Sequence, residues 1–152
     1  MLVKKDGTEV ATSEALAGAE YIMVYCSAHW CPPCRGFTPA LSEWVTRNAA
    51  KLNLKVVFAT NDRDEDAFMS YFKEMSFDLA IPFDDAHIQN LMKKFRISGI
   101  PTLIVLDNSG HLITKEGREA LSRDADGAHF PWRGAGAEGG GAEGEAGGCI
   151  VA

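Results

Sequence analysis

Five consecutive residues constrain this chain more than any others: Trp30-Cys31-Pro32-Pro33-Cys34. The two thiols lie between an apolar run, Tyr21-Ile22-Met23-Val24-Tyr25-Cys26, and a segment with apolar residues at helical spacing, Phe37, Leu41, Trp44 and Val45. That pattern predicts a strand feeding a helix, with both thiols at the helix N-terminus. Unpaired backbone N–H groups and the positive end of the helix dipole favour a thiolate there. Redox chemistry is the implied use of the motif.

Thiol–disulfide exchange runs by thiolate attack on a disulfide, and a second thiol resolves the mixed disulfide that results. Cys31, just before the first helical turn, is the expected attacker, with its thiolate favoured as in other Cys-X-X-Cys sites. Cys34, one turn further in and more enclosed, is the expected resolving thiol. Pro32 and Pro33 lack a backbone N–H, which costs nothing in a first helical turn, and their fixed φ stiffens the loop. Trp30 has two readings: a partly exposed platform beside Cys31, or a ring packed on the core.

Other uses of cysteine fit less well. Zinc needs four ligands, and no second Cys pair stands at ligand spacing. Cys26, Cys31 and Cys34 match a plant-type iron–sulfur spacing, but the fourth ligand would have to be Cys149, in a glycine-rich tail. Cys26 sits inside the apolar strand, where a free cysteine behaves as a small hydrophobe. No metal and no bound cofactor is therefore expected.

At 152 residues the chain is one domain's worth. Its net charge of −6 and lack of a basic block give nucleic acid no electrostatic footprint. The N-terminus has no apolar stretch of signal-peptide length, and no segment is long enough to span a bilayer. Four cysteines, two of them in the motif, do not resemble a secreted disulfide framework. A cytoplasmic, reducing setting and a monomer are the expectations.

Residues 2–10 read as a hairpin through Asp6-Gly7, followed by a brief helix capped near Thr12 or Ser13. After the motif helix, which Pro39 should kink, Leu54 to Thr60 is a second central strand. Asn61-Asp62-Arg63-Asp64 then caps a helix with Phe68, Tyr71, Phe72 and Met75 on its apolar face. A helix near His87 to Phe95 has Asp84 or Asp85 as its cap. A strand from Thr102 to Asp107 turns at Asn108-Ser109-Gly110 into His111 to Thr114, and a last helix covers Arg118 to Arg123. Strands alternating with helices imply a parallel centre, to which the late hairpin adds an antiparallel strand. The expected fold class is α/β: a thioredoxin fold, with a central mixed β-sheet flanked by helices on both faces.

A longer string, Ser27-Ala28-His29-Trp30-Cys31-Pro32-Pro33-Cys34-Arg35-Gly36-Phe37-Thr38-Pro39, resembles the tryparedoxin and nucleoredoxin branch of the thioredoxin superfamily. Ile81-Pro82-Phe83, Gly99-Ile100-Pro101-Thr102-Leu103 and Asp126-Gly127-Ala128-His129-Phe130-Pro131-Trp132 extend the likeness over residues 1–133. The resemblance implies a disulfide reductase. It would pass electrons from a low-molecular-weight dithiol, trypanothione or glutathione, to peroxiredoxin-type peroxidases or other disulfide-containing proteins. The alternative is a nucleoredoxin-like redox-sensing module that binds partners with little turnover. The resemblance also gives Pro101 a cis peptide bond facing the thiols, makes Ile100 a substrate contact, and aims Arg118 at a substrate carboxylate. Read without it, Arg118 is an ordinary helix-start cation.

The chain departs from the tryparedoxin pattern in three places, one of them the Asp62-Arg63-Asp64-Glu65 run, which is more like nucleoredoxins. Asn61-Asp62-Arg63 stands where tryparedoxins carry Trp-Asp-Glu, and Phe77 stands about where they have a Trp, with one extra residue beside it. An acidic group is lost and a cation gained near the motif, which puts the donor in question more than the reaction. Tyr25 either orients a water or proton near Cys34 or is a core ring whose hydroxyl reaches the surface. His29 either adds charge beside Cys31 or is a solvated loop residue. His87, His111 and His129 form no cluster with the thiols.

From Gly134 the composition turns to Gly, Ala and Glu, a flexible tail over residues 134–152. Its last four residues, Cys149-Ile150-Val151-Ala152, fit a prenylation box on Cys149, or an incidental cysteine. One lipid chain would give weak, reversible membrane association, opposed by Glu138, Glu143 and Glu145 at an anionic surface.

Overall fold

The structure is a computed structural model and describes residues 1–83 and 85–133. The tail from Gly134, Cys149 with it, and the Asp84 alternative for a helix cap lie outside the described residues.

The chain runs β1 (Leu2–Val3), β2 (Glu9–Val10), α1 (Thr12–Ala15), β3 (Tyr21–Ser27), α2 (Pro32–Leu52), β4 (Leu54–Thr60), α3 (Glu65–Lys73), α4 (Ala86–Lys94), β5 (Thr102–Asp107), β6 (Leu112–Thr114) and α5 (Gly117–Ser122). Four strands form the central sheet in the order β4-β3-β5-β6. The predicted alternation of strand and helix holds, and so does the mixed sheet. The expected parallel centre extends only to β3 and β4; β5 runs antiparallel to β3, as β6 does to β5. The connection after β4 explains this. Residues 79–81 run up beside β4, with Ala80 bridging Phe58 in parallel sense, so the chain is already at the C-terminal end of β3 before α4 begins. The register Cys26 to Thr102 starts β5 at that same end, and the strand must run back.

Strand side chains alternate between two cores. Met23, Tyr25, Val56, Phe58, Leu103 and Val105 face α2 and α3, where they meet Phe37, Leu41, Trp44, Phe68, Tyr71 and Phe72. Ile22, Val24, Cys26, Val57, Ala59, Ile104 and Leu106 face Ile88 and Leu91 of α4 and Phe95, its C-cap. Burial on both faces accounts for strands that read as nearly continuous apolar runs.

Local chemistry sets the element ends. Gly7, at φ +87°, turns the first hairpin, and the Asp6 carboxylate accepts from the Thr8 N–H. α1 begins one residue earlier than its predicted caps, with Ala11 at the N-cap and Thr12 as the first helical residue. α2 continues through Pro39 to Leu52 and ends at Asn53 in the left-handed conformation. Asp64 and Asp85 cap α3 and α4 by accepting from Ala67 and His87 N–H groups. α5 starts at Gly117, where a Cβ would lie 2.7 Å from the Leu103 carbonyl oxygen; only glycine lets this helix press against the start of β5.

Candidate active site

β3 delivers the chain to the motif at the C-terminal end of the sheet. Cys31 is the N-cap of α2, in extended conformation (φ −99°, ψ 111°), and Pro32, Pro33 and Cys34 form the first helical turn. The Cys31 carbonyl accepts from Arg35 N–H at 3.1 Å, and the Cys31 N–H donates to Ala28 at 3.2 Å, closing the loop tightly. Both cysteines are free thiols. Cys34 is wholly buried and Cys31 nearly so, 0% and 6% exposed, which gives Cys31 the accessible edge.

The other half of the site comes from the start of β5. The Ile100–Pro101 peptide bond is cis, and the Cys31 thiol lies 3.9 Å from the Ile100 carbonyl oxygen. Ile100 also packs on the small apolar cluster of Ala28, Cys31 and Cys34. Trp30, Pro32, Pro33, Ile100 and Pro101 are therefore gathered around Cys31. Arg118, the second residue of α5, lies at the same end of the sheet, exposed, and no hydrogen bond or ion pair holds its side chain among the described residues.

Trp30 takes the platform reading and not the core one. It is 47% exposed, its indole N–H donates to the Asn61 carbonyl at 3.0 Å, and the Arg63 guanidinium sits 5.0 Å from its ring centroid. A cation stacked on an aromatic face restrains the ring. Arg35 reaches back to the His29 carbonyl at 2.8 Å, and the buried Asp62 carboxylate accepts from the His29 N–H and the Thr60 hydroxyl, both at 2.8 Å. The His29 ring itself is exposed and packs against Tyr71, with centroids 5.4 Å apart.

Beneath Cys34 lies a set of groups that the sequence reading did not assemble. Ser27, Tyr25, Thr38 and Tyr71 are all buried. The Tyr71 hydroxyl is 2.8 Å from Ser27 Oγ and 2.5 Å from Thr38 Oγ1, and Tyr25 Oη is 2.7 Å from Thr38 Oγ1. Thr38 and Tyr25 also donate to the Cys34 carbonyl, at 3.0 and 3.3 Å. Tyr25 thus keeps its hydroxyl inside, away from the surface. Two signals pointed to part of this set: Thr38 stands four residues after Cys34 on the same helix face, and Ser27 is a polar residue ending an apolar strand.

The three cysteines differ in surroundings. Burial pushes the Cys26 thiol up to about 12, and the nearby Cys34 adds to that, so Cys26 stays a protonated core residue. Burial also raises Cys34, reinforced by its hydrogen bond with Cys31, while Ser27 and the Ala28 N–H act in the opposite direction. Burial raises Tyr25 and Tyr71 as well, so both phenols remain neutral hydroxyls. Among the described residues, no three His, Cys, Asp or Glu side chains gather as a metal site requires.

An N-cap cysteine over a buried partner, facing a backbone edge at residue 100, is an arrangement suited to exchange with an extended disulfide substrate. Comparison with known proteins agrees. Residues 18–112 match the family described as thioredoxin-like. Nucleoredoxin of Danio rerio is 42% identical over 130 residues, 84% of this chain and 31% of its own length, and tryparedoxin of Trypanosoma brucei brucei is 41% identical over 113 residues, 73% and 78%. The chain thus spans about a third of the length of the nucleoredoxins it matches. Among solved structures, tryparedoxin II of C. fasciculata superposes with a TM-score of 0.83 at 34% identity, covering 90% of this chain and 89% of that one. Tryparedoxin I of Leishmania major gives 0.79 at 40% identity, covering 87% and 90%. Tryparedoxin II has also been solved in complex with glutathionylspermidine, at a TM-score of 0.81, 34% identity and coverage of 87% and 91%. The chain has the thioredoxin fold and belongs to the thioredoxin-like family, in its tryparedoxin and nucleoredoxin-like branch.

Proposed function

We propose that this thioredoxin-like oxidoreductase is a protein-disulfide reductase that takes electrons from a low-molecular-weight dithiol and passes them to peroxiredoxin-type or other protein disulfides. The observation that carries the reading is the placement of Cys31 at the α2 N-cap, beside the Ile100 carbonyl and directly over Cys34. The Cys31 thiolate attacks one sulfur of the substrate disulfide; a Cys31–substrate bond forms and the other substrate sulfur leaves with the bonding pair. Cys34 then attacks Cys31, the enzyme disulfide forms, and the second substrate sulfur departs. The dithiol donor reverses this sequence and restores both thiols. A donor carrying a polyamine is supported by the relative solved with glutathionylspermidine. The exposed Trp30 and backbone at residue 100 are the proposed docking edge for the acceptor, and the working setting is the reducing cytoplasm.

The test is reduction of a protein disulfide by the purified chain with dihydrotrypanothione, glutathione or thioredoxin reductase as donor. Cys31→Ser should fall to the uncatalysed rate, and Cys34→Ser should accumulate a mixed disulfide visible as a mass shift. Equal rates for wild type and Cys31→Ser with every donor would falsify the assignment. A second reading, a redox-sensing binding module, is favoured by the nucleoredoxin relatives and by the restrained, exposed Trp30. It predicts slow turnover with all three donors, and a partner affinity that differs between the dithiol and disulfide forms.

A further inference from the structure

The turn that delivers Cys31 is only weakly closed by its own backbone. Ala28-His29-Trp30-Cys31 is joined end to end by one bond, from the Cys31 N–H to the Ala28 carbonyl at 3.2 Å, near the long limit for such bonds. What fixes its central residues, His29 and Trp30, comes from outside the turn. The His29 N–H donates to Asp62 Oδ1 and the His29 carbonyl accepts from the Arg35 guanidinium, both at 2.8 Å. One residue thus has both backbone groups taken by side chains of opposite charge, one from the loop after β4 and one from α2. Charge-assisted bonds are about twice as strong as neutral ones, so these two outweigh the bond that closes the turn.

Asp62 is itself anchored to the sheet. Its Oδ2 accepts from the Thr60 hydroxyl at 2.8 Å, and the same Thr60 oxygen accepts from the Asp62 N–H at 2.9 Å. Thr60 ends β4, in register with Ser27 at the end of β3. Between them, the Asn61 N–H donates to the Ser27 carbonyl at 2.9 Å, and the Asn61 carbonyl accepts from the Trp30 indole. Asp62 and Asp124 are the buried carboxylates among the described residues. A turn at the surface can leave its N–H to water, whereas a buried carboxylate loses hydration that only well-made hydrogen bonds offset. Such a group is placed for what it fixes.

We infer that Asp62 is a positioning residue for Cys31. With Arg35 opposite it, Asp62 fixes the His29 backbone and so holds Trp30 and Cys31 in place against the backbone edge at residue 100. This role presupposes that Cys31 attacks disulfides, and is indifferent to which donor or acceptor is physiological. Asp62 bonds to an N–H and a hydroxyl, not to a sulfur, and exchanges no proton; its effect on the reaction runs through His29.

The test compares Asp62→Ala with Asp62→Asn in the full chain. Asparagine keeps an Oδ1 acceptor for the His29 N–H, and alanine does not. One reading is kcat/KM for reduction of a protein disulfide. The other is acrylamide quenching of Trp30 fluorescence, taken as the difference between each protein and its Trp30→Phe version. Asp62→Ala should lower kcat/KM roughly tenfold, as loss of a hydrogen bond to a charged group implies, and open Trp30 to the quencher. Asp62→Asn should stay within about threefold of wild type, with Trp30 quenched as in wild type. Arg35→Ala, at an exposed side chain, should lower kcat/KM about threefold, and adding it to Asp62→Ala should lower it little further, because both act on one residue. Wild-type kcat/KM in Asp62→Ala would overturn the inference, and so would slowing without a change in quenching. A fall in Asp62→Asn as large as in Asp62→Ala would overturn it too, since charge and not position would then be the property used. Should Asp62→Ala not fold, Arg35→Ala decides alone: an unchanged rate and unchanged quenching would overturn the inference. A wild type that reduced no protein disulfide would instead sink the exchange reading, while the quenching comparison would still confirm or overturn the hold of Asp62 on the turn.

Discussion

The two ends of α2 both bury polar groups, and they do so in opposite ways. At the N-terminal end, four neutral hydroxyls share three bonds, in each of which either oxygen can be the donor. At the C-terminal end, a single carboxylate, Asp124, is saturated with donors: the Trp132 indole N–H at 2.9 Å and the Ala128 and His129 N–H groups at 3.0 and 2.8 Å. Trp44 of α2 donates to the Asp124 carbonyl at 2.9 Å, and Asn48 to the Ala125 carbonyl at 3.0 Å. Around this knot, Tyr21, Trp44, Phe130 and Trp132 stack edge to face or tilted. A carboxylate with fixed donors has one good state and serves to hold the chain. A chain of neutral hydroxyls can be donated along in either direction, and holds its end of the helix without burying a charge.

That contrast breaks if damage to the C-terminal end disturbs exchange. Trp44 is 4% exposed and touches both Phe130 and Trp132, so Trp44→Ala should lose about 3–5 kcal/mol of stability in a urea titration. In the protein that remains folded, the alkylation rate of Cys31 should equal that of wild type. A parallel fall in that rate would show the two ends to be coupled. Asp124→Asn should cost less, about 1–2 kcal/mol, since an amide keeps the shape but loses the charge that its donors favour and part of this knot is solvent-screened. Burial by itself would raise the Asp124 carboxyl, but the hydrogen bonds from Trp132, His129 and Ala128 outweigh it and hold it below 3.8. The folded group is thus the stronger acid. Its contribution is fully present above the unfolded value of 3.8 and is lost as pH falls through the lower folded one. The stability gap between wild type and Asp124→Asn should accordingly be constant near neutrality and close in strong acid; a gap that widened in acid would contradict the sign.

What was legible from the sequence was local. Cys31, Pro32, Pro33 and Cys34 announce a helix N-terminus within five residues, and Asp64 announces a cap from its place before an apolar face. The resemblance supplied Ile100 and Pro101, which no short-range pattern would join to residue 31. The direction of β5 was missed because it depends on the extended passage at Ala80, a tertiary pairing without a sequence period of its own. The hydroxyl network was missed for a similar reason: Tyr71 lies 44 residues from Ser27, and its place on the apolar face of α3 reads as ordinary core. Asp124 is another such case, since the carboxylate gathers partners that become neighbours only when the chain closes over Trp44.

The smallest expected effect lies at the surface of the N-terminal end, where Arg63 covers Trp30. An exposed cation–π contact contributes about 0.5–1 kcal/mol, so Arg63→Ala should change the unfolding midpoint little. The indole keeps its bond to the Asn61 carbonyl and stays near Cys31. What changes is charge: a guanidinium 5.0 Å from the ring beside Cys31 is gone. At low ionic strength, reduction of glutathione disulfide, which is anionic, should slow roughly twofold to fivefold, while reduction of the cationic disulfide cystamine should speed up. Both changes should fade near 1 M salt, where the Debye length shrinks to about 3 Å. Equal slowing of both substrates, unaffected by salt, would mean that Arg63 acts by fixing the Trp30 ring. The difference between this end of α2 and the other would then lie in restraint of a docking surface, and not in the charge that surface presents.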